Sequence, residues 1–132
     1  MDLAWEEVET PTIIDDLSAE RPQDVVEAFI EGWRALLVSG NFDRGCAVAA
    51  VSLGARDEPD LRDAAGDVFA TWTSSLTGAF VRTGVREAEA ADYAALCIAV
   101  VEGALILGRT TRTDEIFQVA RRQLTALVAS SQ

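Results

Sequence analysis

The sequence predicts an all-α protein, a bundle of about five helices in one domain. Three observations carry this. Apolar residues recur at three- and four-residue spacing through most of the 132-residue chain. No segment shows period-two alternation bounded by hairpin turn pairs such as Asn-Gly. The strong helix breakers, Pro22, Gly40-Asn41, Pro59 and Gly84, fall between the periodic segments rather than inside them. With 49% apolar residues and only three prolines, the chain has enough core-forming material to exclude a disordered linker.

Residues 1–20 are the exception to the periodic pattern. Trp5, Val8, Ile13 and Ile14 are apolar, but Pro11 interrupts any single helix through them, so a short helix or an arm is expected. Residues 21–132 form the expected domain. Its first helix runs from Pro22, which suits a first helical turn, to Ser39 before Gly40-Asn41. Val25, Phe29, Trp33 and Leu37 make its stripe, widened by Val26, Ile30 and Leu36. A short second helix is expected over Cys46–Ala55, carrying Val48, Val51 and Leu53. The third begins at Pro59, behind Asp57 and Glu58, whose negative charge favours a helix N-terminus, and runs to about Thr83. Leu61, Ala65, Val68, Trp72, Leu76 and Ala79 form its apolar face, with Phe69 and Phe80 beside it.

The fourth helix, about Glu87 to Arg109, contains the most unusual stretch of the chain. From Ala94 to Gly108, fifteen residues, Glu102 is the only charge. A helix resting one face on its own core can leave the other face wet, and this one has no polar face to leave. The fifth helix is expected from Thr113, a plausible N-cap, with Ile116, Phe117, Ala120, Leu124, Leu127 and Val128 on its apolar side. A domain of this size seldom encloses a helix completely, so this pair is expected to meet a second subunit. The run from Ala94 is too short, and too interrupted by Glu102 and Gly103, to be read as a membrane span. The acidic N-terminus lacks the pattern of a secretory signal, and a cytoplasmic location is expected.

Charge narrows the function. All eleven basic residues are arginines, scattered except for Arg121-Arg122, against 22 acidic residues, giving a net charge of −11. Nucleic-acid affinity is built on clustered positive charge, so this chain is not expected to bind DNA or RNA by itself. With no histidine and no lysine, general-base chemistry would fall to carboxylates or the single tyrosine. The glycines are too scattered for a phosphate loop, and the adjacent acidic pairs cannot share one helix face. No enzyme, cofactor or metal site is expected. Cys46 and Cys97 read as small buried apolar residues, without basic neighbours to lower a thiol pKa.

The order of parts resembles a known family. FDRGCAVAAVSLGA (Phe42 to Ala55), then a proline-started acidic helix bearing FATW (Phe69 to Trp72), then VVEGALILGR (Val100 to Arg109), is similar to the C-terminal regulatory domain of TetR-family transcriptional regulators. The likeness is to the subgroup typified by LmrA and YxaF, and it covers about Pro22 to Val128. Ala47 stands where that family usually has proline. The composition, rich in alanine and arginine, is that of a high-GC bacterial genome.

The resemblance implies a domain that binds a small, largely apolar or aromatic effector and homodimerises, its last two helices forming a four-helix bundle with the partner's pair. DNA would be reached only through a helix-turn-helix domain, which has no counterpart in this sequence. The candidate effector-binding residues are Phe29, Trp33, Cys46, Phe69, Trp72, Leu76, Tyr93 and Cys97, with Ser75 or Thr71 as possible hydroxyl contacts. The candidate dimer-interface residues are Ile98, Val101, Glu102, Leu105, Ile106, Phe117, Ala120, Arg121 and Leu124. Glu102 must be paired, protonated or wet. Arg109 or Arg121 of a second subunit, the effector cavity and the solvent-reaching rim are its three possible settings. The alternative to an effector domain is a helical module that acts by dimerisation alone, without a ligand.

Overall fold

The computed structural model describes residues 19–43, 45–54 and 57–130, and the expected arm at 1–20 lies almost wholly outside them. Five helices follow one another: α1 (Pro22–Ser39), α2 (Ala47–Gly54), α3 (Pro59–Arg82), α4 (Glu87–Thr111) and α5 (Glu115–Ala129). No strand occurs among the described residues. α4 is the hub, packed against α1, α3 and α5, while α1 also lies along α5 and α2 rests on α3.

Local chemistry sets the ends. At the start of α1 the Asp24 carboxylate accepts the Arg21 backbone N–H at 3.1 Å and pairs with its guanidinium at 3.0 Å. This is one half of a capping box, because the arginine side chain has no acceptor and the Asp24 N–H bonds the Arg21 backbone carbonyl instead, at 3.0 Å. The chain leaves α1 through two successive left-handed residues, Asn41 (φ 55°) and Phe42 (φ 62°). α4 runs two residues past the expected end at Arg109 and stops at Arg112, itself left-handed at φ 59°. No glycine marks that stop. The guanidinium instead bonds the Asn41 carbonyl at 2.8 Å and Asp43 at 3.1 Å, tying the two turns together.

At the start of α5 the N-cap is Asp114 rather than Thr113. The Asp114 carboxylate does not cap, because it holds Arg34 of α1 at 3.0 Å. The Thr113 hydroxyl accepts the Glu115 N–H at 3.3 Å and does part of that work. Arg34 also pairs with Glu31 at 2.7 Å, so one cation clips α1 onto α5.

A single apolar core joins all five helices. Trp72, Phe29, Phe80 and Phe117 are its largest fully buried side chains. The helices come closest where α4 meets the end of α1. A Cβ placed on Gly108 would lie 2.7 Å from Leu37 Cδ2 and 3.0 Å from the Thr113 carbonyl oxygen. Only glycine allows that approach.

The complete helix α4, at 25 residues and a mean hydropathy of 1.9 over its most apolar window, is long and apolar enough to cross a bilayer. The run Ala94–Gly108 is by itself short of a span, and it is the whole helix from Glu87 to Thr111 that has the length. Three helices pack on it and bury Ala90, Ala94, Cys97, Ile98, Val101, Ala104, Leu105 and Gly108. That is the setting of a core helix.

Candidate functional site

Two regions stand out, one on the surface and one inside. The surface region is the outward face of α4 and α5. Leu96 (42% exposed), Leu107 (50%), Val119 (42%) and Leu127 (40%) form its ridges. Between them runs a groove of about 800 Å³, floored by Gly103, Ala104, Ala120 and Leu124. Among the described residues, Gln123 and Ser130 are its only polar lining side chains, and no charged one lines it. In a chain with 25% charged residues, this is a selected surface.

The register of this face differs from the one drawn from the sequence. Ile98, Val101, Leu105 and Phe117 are spent on the chain's own core, each 9% exposed or less. They belong to the stripes that α4 and α5 turn toward α1, α3 and each other. Of the residues expected at the interface, Ala120 and Leu124 lie in the groove floor and Ile106, 57% exposed, stands beside it on α4. Arg121 is exposed, and its charge acts on Glu31 of α1. Leu96, Ala99, Val100, Leu107, Val119 and Gln123 also line the groove and are not among the residues expected at an interface. Their signal was present, since they lie at helical spacing in the same segments. A helix apolar on all sides does not say which side faces its own chain.

Glu102 turns toward the start of α2, not toward the groove. Its carboxyl lies near the Cys46 thiol, and burial pushes it up, with the thiol acting in the opposite direction. Burial, with the Glu102 charge adding to it, pushes the Cys46 thiol up to about 12. Within the single chain, Glu102 forms no ion pair among the described residues. Cys97 is fully buried and its thiol is likewise pushed up to about 12 by burial. Neither thiol is a nucleophile at neutral pH.

The interior region is aromatic. Trp33 of α1 meets Trp72 of α3 edge-on, with ring centroids 5.8 Å apart, and Phe69 meets Trp72 from one turn earlier at 5.5 Å. Trp33 and Trp72 are buried, whereas Phe69 is half-buried, so the trio leads from near the surface into the core. Phe29, Leu76 and Cys97 are buried in the same core, and Cys46 lies at its edge beside Glu102.

Tyr93 does not join this trio. It packs on Phe80 at 5.7 Å, and Phe80 lies eight residues beyond Trp72 on α3, about 12 Å along a helix. The eight expected effector contacts therefore divide between two aromatic groups. Thr71 faces solvent with its hydroxyl donating to the Asp67 carbonyl, which removes it as an inward contact. Among the described residues no group of histidine, cysteine and acidic side chains is placed to hold a metal ion.

Comparison with known proteins agrees with this architecture. Residues 22–123 match the C-terminal domain of LmrA/YxaF-like transcriptional regulators, one of the TetR-type C-terminal domain families. The chain belongs to this family. An uncharacterized HTH-type transcriptional regulator of Mycobacterium tuberculosis, present in strains CDC 1551 and H37Rv, is 32% identical over 116 residues. That match takes in 83% of this chain and 60% of the relative's length, so the TetR-like domain described here spans well under two thirds of that regulator. No solved structure gives a significant match.

Proposed function

We propose that this TetR-like domain is the effector-binding and dimerising part of a cytoplasmic, non-enzymatic transcriptional regulator. The observation that carries the dimer is the uncharged groove on α4 and α5, bordered by four half-exposed leucine and valine side chains. A two-fold partner presents the same surface, and apolar ridges with small residues between them are self-complementary without any charge to match. Completing the burial of eight such side chains across two copies contributes about 1 kcal/mol each before association costs. The effector would enter the aromatic corner of Trp33, Phe69 and Trp72. It would act by favouring one arrangement of the helices over another. Contact with DNA would come from a helix-turn-helix region of the kind named in the mycobacterial relative.

Sedimentation equilibrium at micromolar concentration tests the dimer. A particle of twice 14.2 kDa is expected, and a folded particle of 14.2 kDa would overturn it. A thermal-shift screen of apolar metabolites tests the effector. At least one compound should raise the melting temperature with a saturating dose dependence, and a broad library without effect argues against a ligand site.

A further inference from the structure

Trp33 has one polar side-chain atom, the indole Nε1–H, and it is shut off from solvent with no hydrogen-bond partner among the described residues. A buried donor left unmade costs about 1–3 kcal/mol, and native proteins keep few of them. Trp33 meets the edge-on ring of Trp72, and no acceptor among the described residues bonds its N–H. The donor is held rigidly, because Trp33 is 5% exposed and packed in the core. The half-buried Phe69 gives this corner a side toward the surface.

We infer that Trp33 Nε1–H is the hydrogen-bond donor of the effector site, and that the effector is an uncharged, mainly apolar molecule presenting a carbonyl or ether oxygen to it. This rests on the reading that the aromatic corner binds an effector. A cationic ammonium has no lone pair to accept the bond. An anion would have to lose its water among aromatic rings in a chain of net charge −11. A neutral oxygen on an apolar body meets both constraints.

The test compares 1-tetralone with tetralin, which share a carbon skeleton and differ by one carbonyl. Binding to the full chain is followed by titration, and the Trp33 indole proton by NMR, identified through its contacts with the Trp72 ring. For the unaltered protein, tetralone should bind about tenfold more tightly than tetralin, and tetralone alone should move the Trp33 N–H resonance downfield. In Trp33→Phe the preference between the two compounds should vanish, whatever change in affinity they share. Equal affinities, a preference that survives in Trp33→Phe, or a Trp33 resonance that tetralone leaves in place would each overturn the donor role and leave the effector reading intact. If neither compound binds the unaltered protein at millimolar concentration, the donor role is overturned and the effector reading passes to the wider thermal-shift screen. Should Trp33→Phe fail to fold, the resonance shift in the unaltered protein decides the matter.

Discussion

The groove on α4 and α5 and the aromatic corner around Trp33 are both apolar, yet they leave different things unfinished. The groove leaves area: leucine and valine side chains 40–50% exposed, with Gln123 and Ser130 as the polar lining side chains among the described residues. The corner leaves one directed bond, a single N–H inside a packed core. Area is non-directional, so any surface that excludes water satisfies it. A buried donor is satisfied only by an acceptor within about 3 Å and in line. Surfaces of the first kind select a shape, and sites of the second kind select a functional group.

The largest expected effect separates the two regions outright. Leu107→Glu places a charge on a groove ridge, where association would have to desolvate it. Dimerisation should weaken at least a hundredfold in sedimentation, while the midpoint for unfolding of the monomer stays nearly unchanged, because Leu107 is half-exposed in the single chain. If Leu107→Glu dimerises like the unaltered protein, the groove is not the interface. Gly108→Ala strikes the packing shared by α1, α4 and α5. Its methyl would press on Leu37 and on the Thr113 carbonyl. About 2 kcal/mol of stability should be lost, read from the denaturant midpoint, without selective loss of either dimer or ligand.

Glu102 gives a smaller, pH-dependent signature. Burial raises its carboxyl above the ordinary glutamate value of 4.5 in the folded chain. The folded state therefore holds its proton to higher pH than the unfolded chain does. Below about 4.5 both states are protonated and nothing is lost; as pH rises from there through the folded-state pKa, the ionised carboxylate increasingly disfavours the fold. Glu102→Gln should match the unaltered protein near pH 4 and exceed it in stability at pH 7, measured by urea unfolding at both values. A variant less stable at pH 7 would show that the carboxylate has a cationic partner. The smallest effect belongs to Arg34→Ala, which opens the clip from Glu31 to Asp114. It should cost about 0.5–1 kcal/mol, since the groups are partly exposed, and the loss should shrink in high salt.

Much of the fold was legible in the sequence. α1 begins and ends where Pro22 and Gly40-Asn41 place it, and α3 starts at Pro59 as the acidic run before it suggests. These limits are written locally, because proline removes a donor and fixes φ in the chain itself. The end of α4 was not legible, since Arg112 stops it through bonds to Asn41 and Asp43, residues about 70 positions away in sequence. The cap of α5 was shifted for the same reason, with Asp114 held by Arg34.

For the candidate sites, the sequence by itself determined that α4 and α5 carry more apolar surface than one small domain can bury, and that tryptophans at helical spacing enter the core. Composition and periodicity settle such quantities, because they count apolar side chains per turn. Only the tertiary structure decided which side of α4 is left over, that Glu102 faces Cys46, and that Tyr93 sits with Phe80 rather than with Trp33 and Trp72. Those are choices of rotation and neighbour. An all-round apolar helix has no preferred rotation until other helices are packed against it, and a hydrogen bond is left unmade only once every nearby acceptor has been placed.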